Sequence, residues 1–144
     1  MNTIIILCDV AETDQLLIVQ AEELAKALGS KIYLLHVAAP NPDFVGYDVG
    51  PQHERDWRAE TLKHERNLLH ENAVKLQGSG ITSKAILLQG STQEKVIDEV
   101  KLLEPDLVVV GNHKHSFFYR IFIGNVGEGI ANKINCPVLL VPLP

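Results

Sequence analysis

The chain has 144 residues, of which 46% are hydrophobic and 22% are charged, and its formal net charge is −5 at pH 7. This length suits a single domain with its own apolar core, and the composition excludes an intrinsically disordered chain. The acidic charge balance argues against a basic surface, so we expect no nucleic-acid partner.

The first predicted strand is an apolar run over residues 4–8, which stops at Asp9. No basic segment precedes the run, and it is too short for a signal-peptide core or a membrane span. Cys8 and Cys136 both lie in apolar runs and lack the spacing of a metal or redox site, which predicts buried thiols in a reducing compartment. We therefore expect a cytoplasmic protein with no membrane partner.

A helical spacing of apolar residues follows over residues 14–28, where Thr13 is the predicted N-cap and Gly29 the predicted C-terminal stop. The second strand is predicted over residues 32–37. An irregular stretch over residues 40–53 comes after this strand end, so it is either a lid over a site or a plain surface loop.

The second half of the chain continues the alternation of helices and strands. Its apolar runs are continuous, which is typical of strands buried on both faces of a parallel sheet. Ser91 and Glu94 have capping-box spacing at a helix start. The predicted elements are a polar helix over residues 54–77, strands over 85–88, 107–110 and 138–141, a helix after Ser91 and a last helix from Gly124.

This order, strand and helix repeated and closing on a fifth strand, determines the expected fold. Because crossovers between parallel strands are right-handed, it predicts an α/β fold with a doubly wound five-stranded parallel sheet and helices on both faces. No repeat or linker interrupts the pattern, so we expect one domain over residues 1–144.

Ligands of such sheets bind at the carboxyl ends of the strands, where the strand order switches. Asp9 ends the first predicted strand, and Gly111 ends the fourth. A glycine there lets a ligand approach the backbone closely. The sequence therefore predicts a binding site at this edge of the sheet.

The stretch after Gly111 has the features of an anion site. Gly124, Asn125 and Gly127 would present backbone N–H groups at a predicted helix start. Residues 107–127 include Lys114 but no Asp or Glu, which favours a phosphate group within an acidic protein.

These features together resemble the universal stress protein family over the whole chain. The first strand ends in Asp9, Leu-His-Val closes the second strand at Val37, and the loop from Gly111 leads to the helix start at Gly124. The ending Cys-Pro-Val-Leu-Leu-Val-Pro from Cys136 is also similar. The resemblance implies a regulatory protein that binds ATP or another adenine nucleotide, with or without Mg²⁺.

The resemblance also assigns roles to particular positions. In nucleotide-binding members the aspartate that ends strand one contacts the ribose, and the last valine of strand two meets the adenine through its backbone. Asp9 and Val37 hold these positions. The phosphate loop then begins at Val110 and Gly111, which is the first glycine of the family's pattern. The last glycine of that pattern is Gly124.

Three positions depart from the family's phosphate-binding pattern. Lys114 replaces the second glycine, Asn125 replaces the hydroxyl residue after Gly124, and Gly127 replaces a later serine. Lys114 cannot adopt a glycine-only conformation cheaply, although its charge could neutralise a phosphate. We include these residues and Val126 in the expected site and predict weaker binding than in relatives with the full pattern.

The resemblance further implies a homodimer in which the strands over residues 138–141 of two copies meet, and an unidentified protein partner. Two alternatives stay open: a nucleotide-independent dimeric stress protein that acts by partner binding, and an adenine-nucleotide hydrolase without an identifiable base or metal cage. No catalytic residue is predicted, because neither Ser91 nor Ser116 has a nucleophile-elbow context.

Other candidate residues have plain structural explanations. His36 ends a buried strand and is predicted to be a hydrogen-bonded core residue. His113 and His115 could bind a metal, but no nearby Cys, Asp or Glu completes a set, so we expect polar loop residues or phosphate donors and no metal site. The aromatic cluster over residues 117–122 either stacks on a base or packs against the domain or a partner.

Overall fold

The computed structural model describes residues 2–38, 52–89, 93–113, 117–122 and 134–144. Five strands alternate with four helices over these residues. The strands are β1 (Thr3–Leu7), β2 (Lys31–Ala38), β3 (Ser83–Gln89), β4 (Leu107–Asn112) and β5 (Val138–Pro142). The helices are α1 (Asp14–Leu28), α2 (Gln52–Gly78), α3 (Gln93–Leu102) and α4 (Phe117–Phe122).

All five strands pair in parallel in one sheet with the order β3-β2-β1-β4-β5. The central strand β1 is buried on both faces, because each of its neighbours is a strand and each face is covered by helices. The predicted fold class, a doubly wound five-stranded parallel sheet with helices on both faces, is confirmed.

Two apolar layers cover the sheet, and alternate residues of β1 enter opposite layers. On one face Ile4 packs with Leu17 of α1 and Leu69 of α2. On the other face Ile5 packs with Val100 of α3. Burial on both faces explains why the strands appear in the sequence as continuous apolar runs.

The predicted bounds of the strands agree with the observed bounds to within two residues at every end. The predicted helix over residues 14–28 agrees with α1, and the polar helix over 54–77 agrees with α2 to the same margin. Within the described part of the chain, no helix combines the length and apolar character that a membrane crossing requires.

The ends of α1 test the predicted caps. Gly29 ends the helix in the left-handed conformation with φ of 68°, and its N–H donates to the Ala25 carbonyl, which confirms the predicted stop. Thr13 occupies the N-cap position, which confirms the prediction, although its side chain makes no capping bond. The first N–H groups of the helix are satisfied by the backbone, since those of Asp14 and Gln15 donate to carbonyls three residues earlier.

Helix α4 was not predicted, because the sequence pattern placed its residues in a loop between β4 and the last helix. Phe118 of this short helix is 1% exposed and packs in the layer that contains Ile5. Packing against the domain is therefore the observed role of this aromatic residue. The predicted cap at Ser91 and the predicted helix from Gly124 lie outside the described residues.

The two cysteines differ in burial, although both were predicted to be buried. Cys8 is fully buried, which confirms the prediction, but Cys136 is half-buried because it precedes the edge strand β5. Burial raises the pKa of the Cys8 thiol well above its ordinary value of 9.0, and the negative charges of Asp14 and Asp9 raise it further. Cys8 is therefore a neutral packing residue rather than a nucleophile.

Candidate functional site

The strand order switches between β1 and β4, which are neighbours in the sheet but far apart in the chain. After β1 the chain turns to the face that α1 covers, whereas after β4 it packs Phe118 of α4 on the opposite face. The two connections diverge, and open α/β sheets bind ligands beside the carboxyl ends of the strands at such a switch point. Asp9 follows β1 and Gly111 lies near the end of β4, so both lie at this switch point.

Strand pairing continues past the end of β1 and positions the residues that follow it. The Cys8 N–H donates to the Leu35 carbonyl of β2 over 2.8 Å. Asp9 comes next and is half-buried at the edge of the sheet. Val10 then takes a left-handed conformation with φ of 57°, which is unusual for a β-branched residue and turns the chain sharply.

A buried carboxylate holds this turn. Asp14, the first residue of α1, is 2% exposed and accepts three hydrogen bonds from the backbone N–H groups of the loop. The donors are Asp9 at 3.1 Å, Val10 at 2.8 Å and Ala11 at 3.3 Å. Burial raises the pKa of Asp14 above its ordinary value of 3.8, the backbone bonds oppose that effect, and the nearby charge of Asp9 adds to it.

His36 ties the same region to α2. Its Nδ1 lies 2.7 Å from the carbonyl oxygen of Cys8, and its Nε2 lies 3.2 Å from Oε2 of Glu65. Because a carbonyl can only accept, Nδ1 carries the hydrogen of the first bond. Nε2 donates to Glu65 when the ring is protonated on both nitrogens. The prediction of a hydrogen-bonded core histidine is confirmed.

Val37 and Val110, the other two strand residues of the expected site, are buried. Val37 is 8% exposed and Val110 is 0% exposed, and both side chains belong to the apolar layer under α3. Their side chains therefore serve packing. Only their backbone groups are available for a ligand, which is the contact that the resemblance implies for Val37.

Gly111 has a packing reason to be glycine. A Cβ atom at this position would lie 2.6 Å from Cδ1 of Leu143 and 3.6 Å from Cδ2 of Leu17. Leu143, which follows β5, and Leu17 of α1 therefore occupy the space beside Gly111 on one face. The chain bends directly afterwards, because the His113 N–H donates to the Gly111 carbonyl over 3.0 Å.

The structure brings Asp9, Val37, Val110 and Gly111 to the carboxyl ends of three adjacent strands, β2, β1 and β4. The remaining predicted site residues lie outside the described residues. These are Lys114, Gly124, Asn125, Val126 and Gly127.

The histidine pair is described only in part. His113 is exposed, and His115 lies outside the described residues. Within the described ranges, no three His, Cys, Asp or Glu side chains are grouped so that they could hold a metal ion.

Sequence reasoning missed Asp14 as part of this region. Its hydrogen bonds run backwards from the first turn of α1 to the preceding loop, whereas a capping aspartate normally bonds to N–H groups that follow it. The left-handed conformation of Val10, which allows this arrangement, has no signal in the sequence. The bond between His36 and Glu65 joins residues 29 positions apart in the sequence and was not predicted either.

A cavity of about 500 Å³ lies at the opposite end of the sheet. It is open to solvent between the end of α1 and the amino ends of β1, β2 and β3, and Lys26 and Lys31 are its charged lining residues. Over the described residues, the cavity and the predicted site therefore lie at opposite ends of the sheet.

The sequence matches the model of the universal stress protein family over residues 1–142. The chain therefore belongs to the universal stress protein family. It is 29% identical over 117 residues to a universal stress protein A-like protein from Arabidopsis thaliana, and the match spans 77% of this chain and 66% of that protein.

Solved structures of the family share the fold. A universal stress protein from Arabidopsis thaliana with AMP bound superimposes with a TM-score of 0.66 at 20% identity, covering 100% of this chain and 93% of that one. A universal stress protein from Archaeoglobus fulgidus in complex with dAMP gives a TM-score of 0.56 at 16% identity, covering 98% and 97%. These similarities establish the arrangement of strands and helices.

Proposed function

We propose that this chain is a regulatory universal stress protein that binds an adenine nucleotide at the carboxyl ends of β1, β2 and β4. The observation that carries the proposal is the position of Asp9, Val37, Val110 and Gly111 at the carboxyl ends of β1, β2 and β4, beside the switch point where such sheets bind ligands in a crevice. Two family members with the same fold are described with AMP and dAMP bound, which supports this class of ligand.

The chemistry of the described residues fits the nucleoside part of the ligand. The carboxylate of Asp9 accepts hydrogen bonds from the neutral hydroxyl groups of a ribose. Asp9 and the buried Asp14 make this end of the crevice negative, so a phosphate group there would be repelled. We therefore place the ribose at Asp9 and the backbone of Val37 beside the adenine.

The phosphates would extend from Gly111 toward Lys114 and residues 124–127, where N–H groups and a positive charge are expected from the sequence. Mg²⁺ would enter with the phosphates of ATP rather than occupy a site of its own, because no metal-binding trio is present among the described side chains. The departures at Lys114 and Asn125 make the phosphate contacts weaker than in relatives with the full pattern.

Calorimetry with AMP and ATP tests the proposal directly. We expect both nucleotides to bind, and Asp9→Ala to weaken binding by about 1–3 kcal/mol through the lost ribose bond. Asp106→Ala, which removes a carboxylate at the opposite end of β1, is the matched control and should leave affinity unchanged. Absence of binding of both nucleotides to the wild type would contradict the proposal.

The double variant Lys114→Gly with Asn125→Ser tests the phosphate end. Restoring the family's pattern should strengthen ATP binding about tenfold, or about 1.4 kcal/mol, and AMP binding by less. If neither the wild type nor this variant binds a nucleotide, the alternative of a nucleotide-independent stress protein that acts by partner binding takes precedence.

We also propose that the protein works as a homodimer through β5. This strand is at the edge of the sheet, pairs with β4 on one side, and leaves Val138, Leu139 and Leu140 half-buried. An apolar edge strand can pair with the same strand of a second copy of the chain. Sedimentation at micromolar concentration should show a dimer that Leu140→Lys weakens, whereas Leu102→Lys at the exposed end of α3 should not. A monomeric wild type would contradict the proposal.

A further inference from the structure

The loop between β1 and α1 carries backbone strain next to the residue that we assign to the ribose. Val10 has φ of 57°, a conformation that L-residues with branched side chains adopt only when their surroundings enforce it. Asp9 directly precedes it. The direction in which the Asp9 side chain leaves the sheet therefore depends on whatever holds Val10 in this conformation.

Asp14 supplies that constraint. Its carboxylate gathers the consecutive N–H groups of Asp9, Val10 and Ala11 at distances of 3.1, 2.8 and 3.3 Å. Oδ1 takes the Asp9 donor, and Oδ2 takes the other two. Both oxygens are used, so the three bonds together fix the turn and the main chain of Asp9.

The carboxylate is itself held rigidly. Asp14 is 2% exposed, and α1, which begins with it, is anchored to the sheet by Leu17, Ile18 and Ala21 in the apolar layer. Burying a carboxylate carries a desolvation penalty, and the three N–H donors offset part of that penalty at Asp14. Because Asp14 is fixed in place and bonds the turn at Val10, it restricts the orientation of the Asp9 side chain more than a loop without these bonds would.

We propose that Asp14 is a positioning residue for ligand binding, which holds Asp9 in the orientation that recognises the ribose hydroxyl groups of an adenine nucleotide. This inference rests on the proposed function. Asp14 does not contact the ligand; it acts through the backbone of residues 9–11. Its removal should therefore reduce discrimination for the sugar hydroxyls while the adenine and phosphate contacts persist.

The test compares the affinities of AMP and 2′,3′-dideoxy-AMP, which lacks both ribose hydroxyls, by calorimetry. The wild type should prefer AMP by about tenfold or more, because only AMP offers the hydroxyl donors to Asp9. Asp9→Ala should abolish the preference. Asp14→Asn, which has the same size but keeps only one acceptor oxygen, should reduce it about threefold or more although Asp9 is intact.

Asp106→Ala is the matched control, because Asp106 also accepts two backbone N–H bonds but at the other end of β1. The Asp106→Ala variant should prefer AMP over 2′,3′-dideoxy-AMP as strongly as the wild type does. Asp14→Ser, a shorter acceptor, gives the same test if Asp14→Asn does not fold.

The outcomes separate the two claims. If the wild type prefers AMP and Asp14→Asn and Asp14→Ser keep the full preference, Asp14 is not a positioning residue, and the proposed nucleotide site stands. If the wild type binds neither nucleotide, or binds both equally, the ribose contact at Asp9 fails and this inference falls with it. A reduced preference in the Asp14 variants with a normal preference in Asp106→Ala supports the inference.

Discussion

Strand β1 has an aspartate near each end that accepts hydrogen bonds from consecutive backbone N–H groups, and the two carboxylates differ in their surroundings. Asp106 bonds the N–H groups of Asn2 at 2.8 Å and Thr3 at 3.0 Å and lies at the solvent-exposed amino end. Asp14 bonds three N–H groups at the carboxyl end and is 2% exposed.

The backbone hydrogen bonds lower the pKa of both carboxylates, yet the net pKa shifts of the two groups have opposite signs. At Asp106 the bonds from Asn2 and Thr3 dominate and lower the pKa below 3.8. At Asp14 desolvation dominates over similar bonds and raises the pKa above 3.8. A carboxylate buried at a desolvation cost thus lies at the carboxyl end of β1, whereas the cavity lies at the amino end.

The largest expected effect is on stability when the buried carboxylate is removed. Asp14→Ala leaves three N–H groups of the strained turn without their acceptor, so we expect the free energy of unfolding to fall by about 2 kcal/mol. Asp106→Ala should cost less, since Asp106 is only half-buried and water can replace it as the acceptor. Denaturant unfolding of both variants measures these losses. Equal losses in the free energy of unfolding would contradict the expected difference between the two carboxylates.

A second effect concerns the histidine at the carboxyl end. His36→Leu removes the donor to the buried Cys8 carbonyl and the link to Glu65, so we expect a loss of about 1–2 kcal/mol. His70→Leu on the exposed face of α2 is the control and should change stability by about 0.5 kcal/mol or less. Similar unfolding midpoints for the two variants would show that the His36 bonds contribute nothing.

The smallest effect is the pH dependence, and its sign distinguishes the two aspartates. The raised pKa of Asp14 makes its ionisation unfavourable to folding, so the wild type should gain stability relative to Asp14→Asn as pH falls toward 3.8. The lowered pKa of Asp106 has the opposite consequence, and the wild type should lose stability relative to Asp106→Asn below pH 3.8. Unfolding followed between pH 3 and pH 7 measures both differences, and parallel profiles would contradict this assignment.

The sequence was sufficient for the fold because each strand contains a continuous apolar stretch and Gly29 stops α1 at the expected residue. It was insufficient for the contacts that shape the site. The Asp14 bonds depend on the left-handed turn at Val10, and the space beside Gly111 is limited by Leu143, which follows the next strand of the sheet. Such contacts follow from three-dimensional packing, which local patterns do not encode.

The most direct test of the central claim is to map the binding of AMP onto the two ends of the sheet by backbone amide NMR. We expect the Asp9, Val37 and Gly111 amide signals to shift on addition of AMP, and the signals of Gly29 and Thr82 beside the cavity to stay unchanged. Shifts confined to Gly29 and Thr82, or no shifts at millimolar AMP, would contradict the assignment of the nucleotide site to the carboxyl ends of the strands.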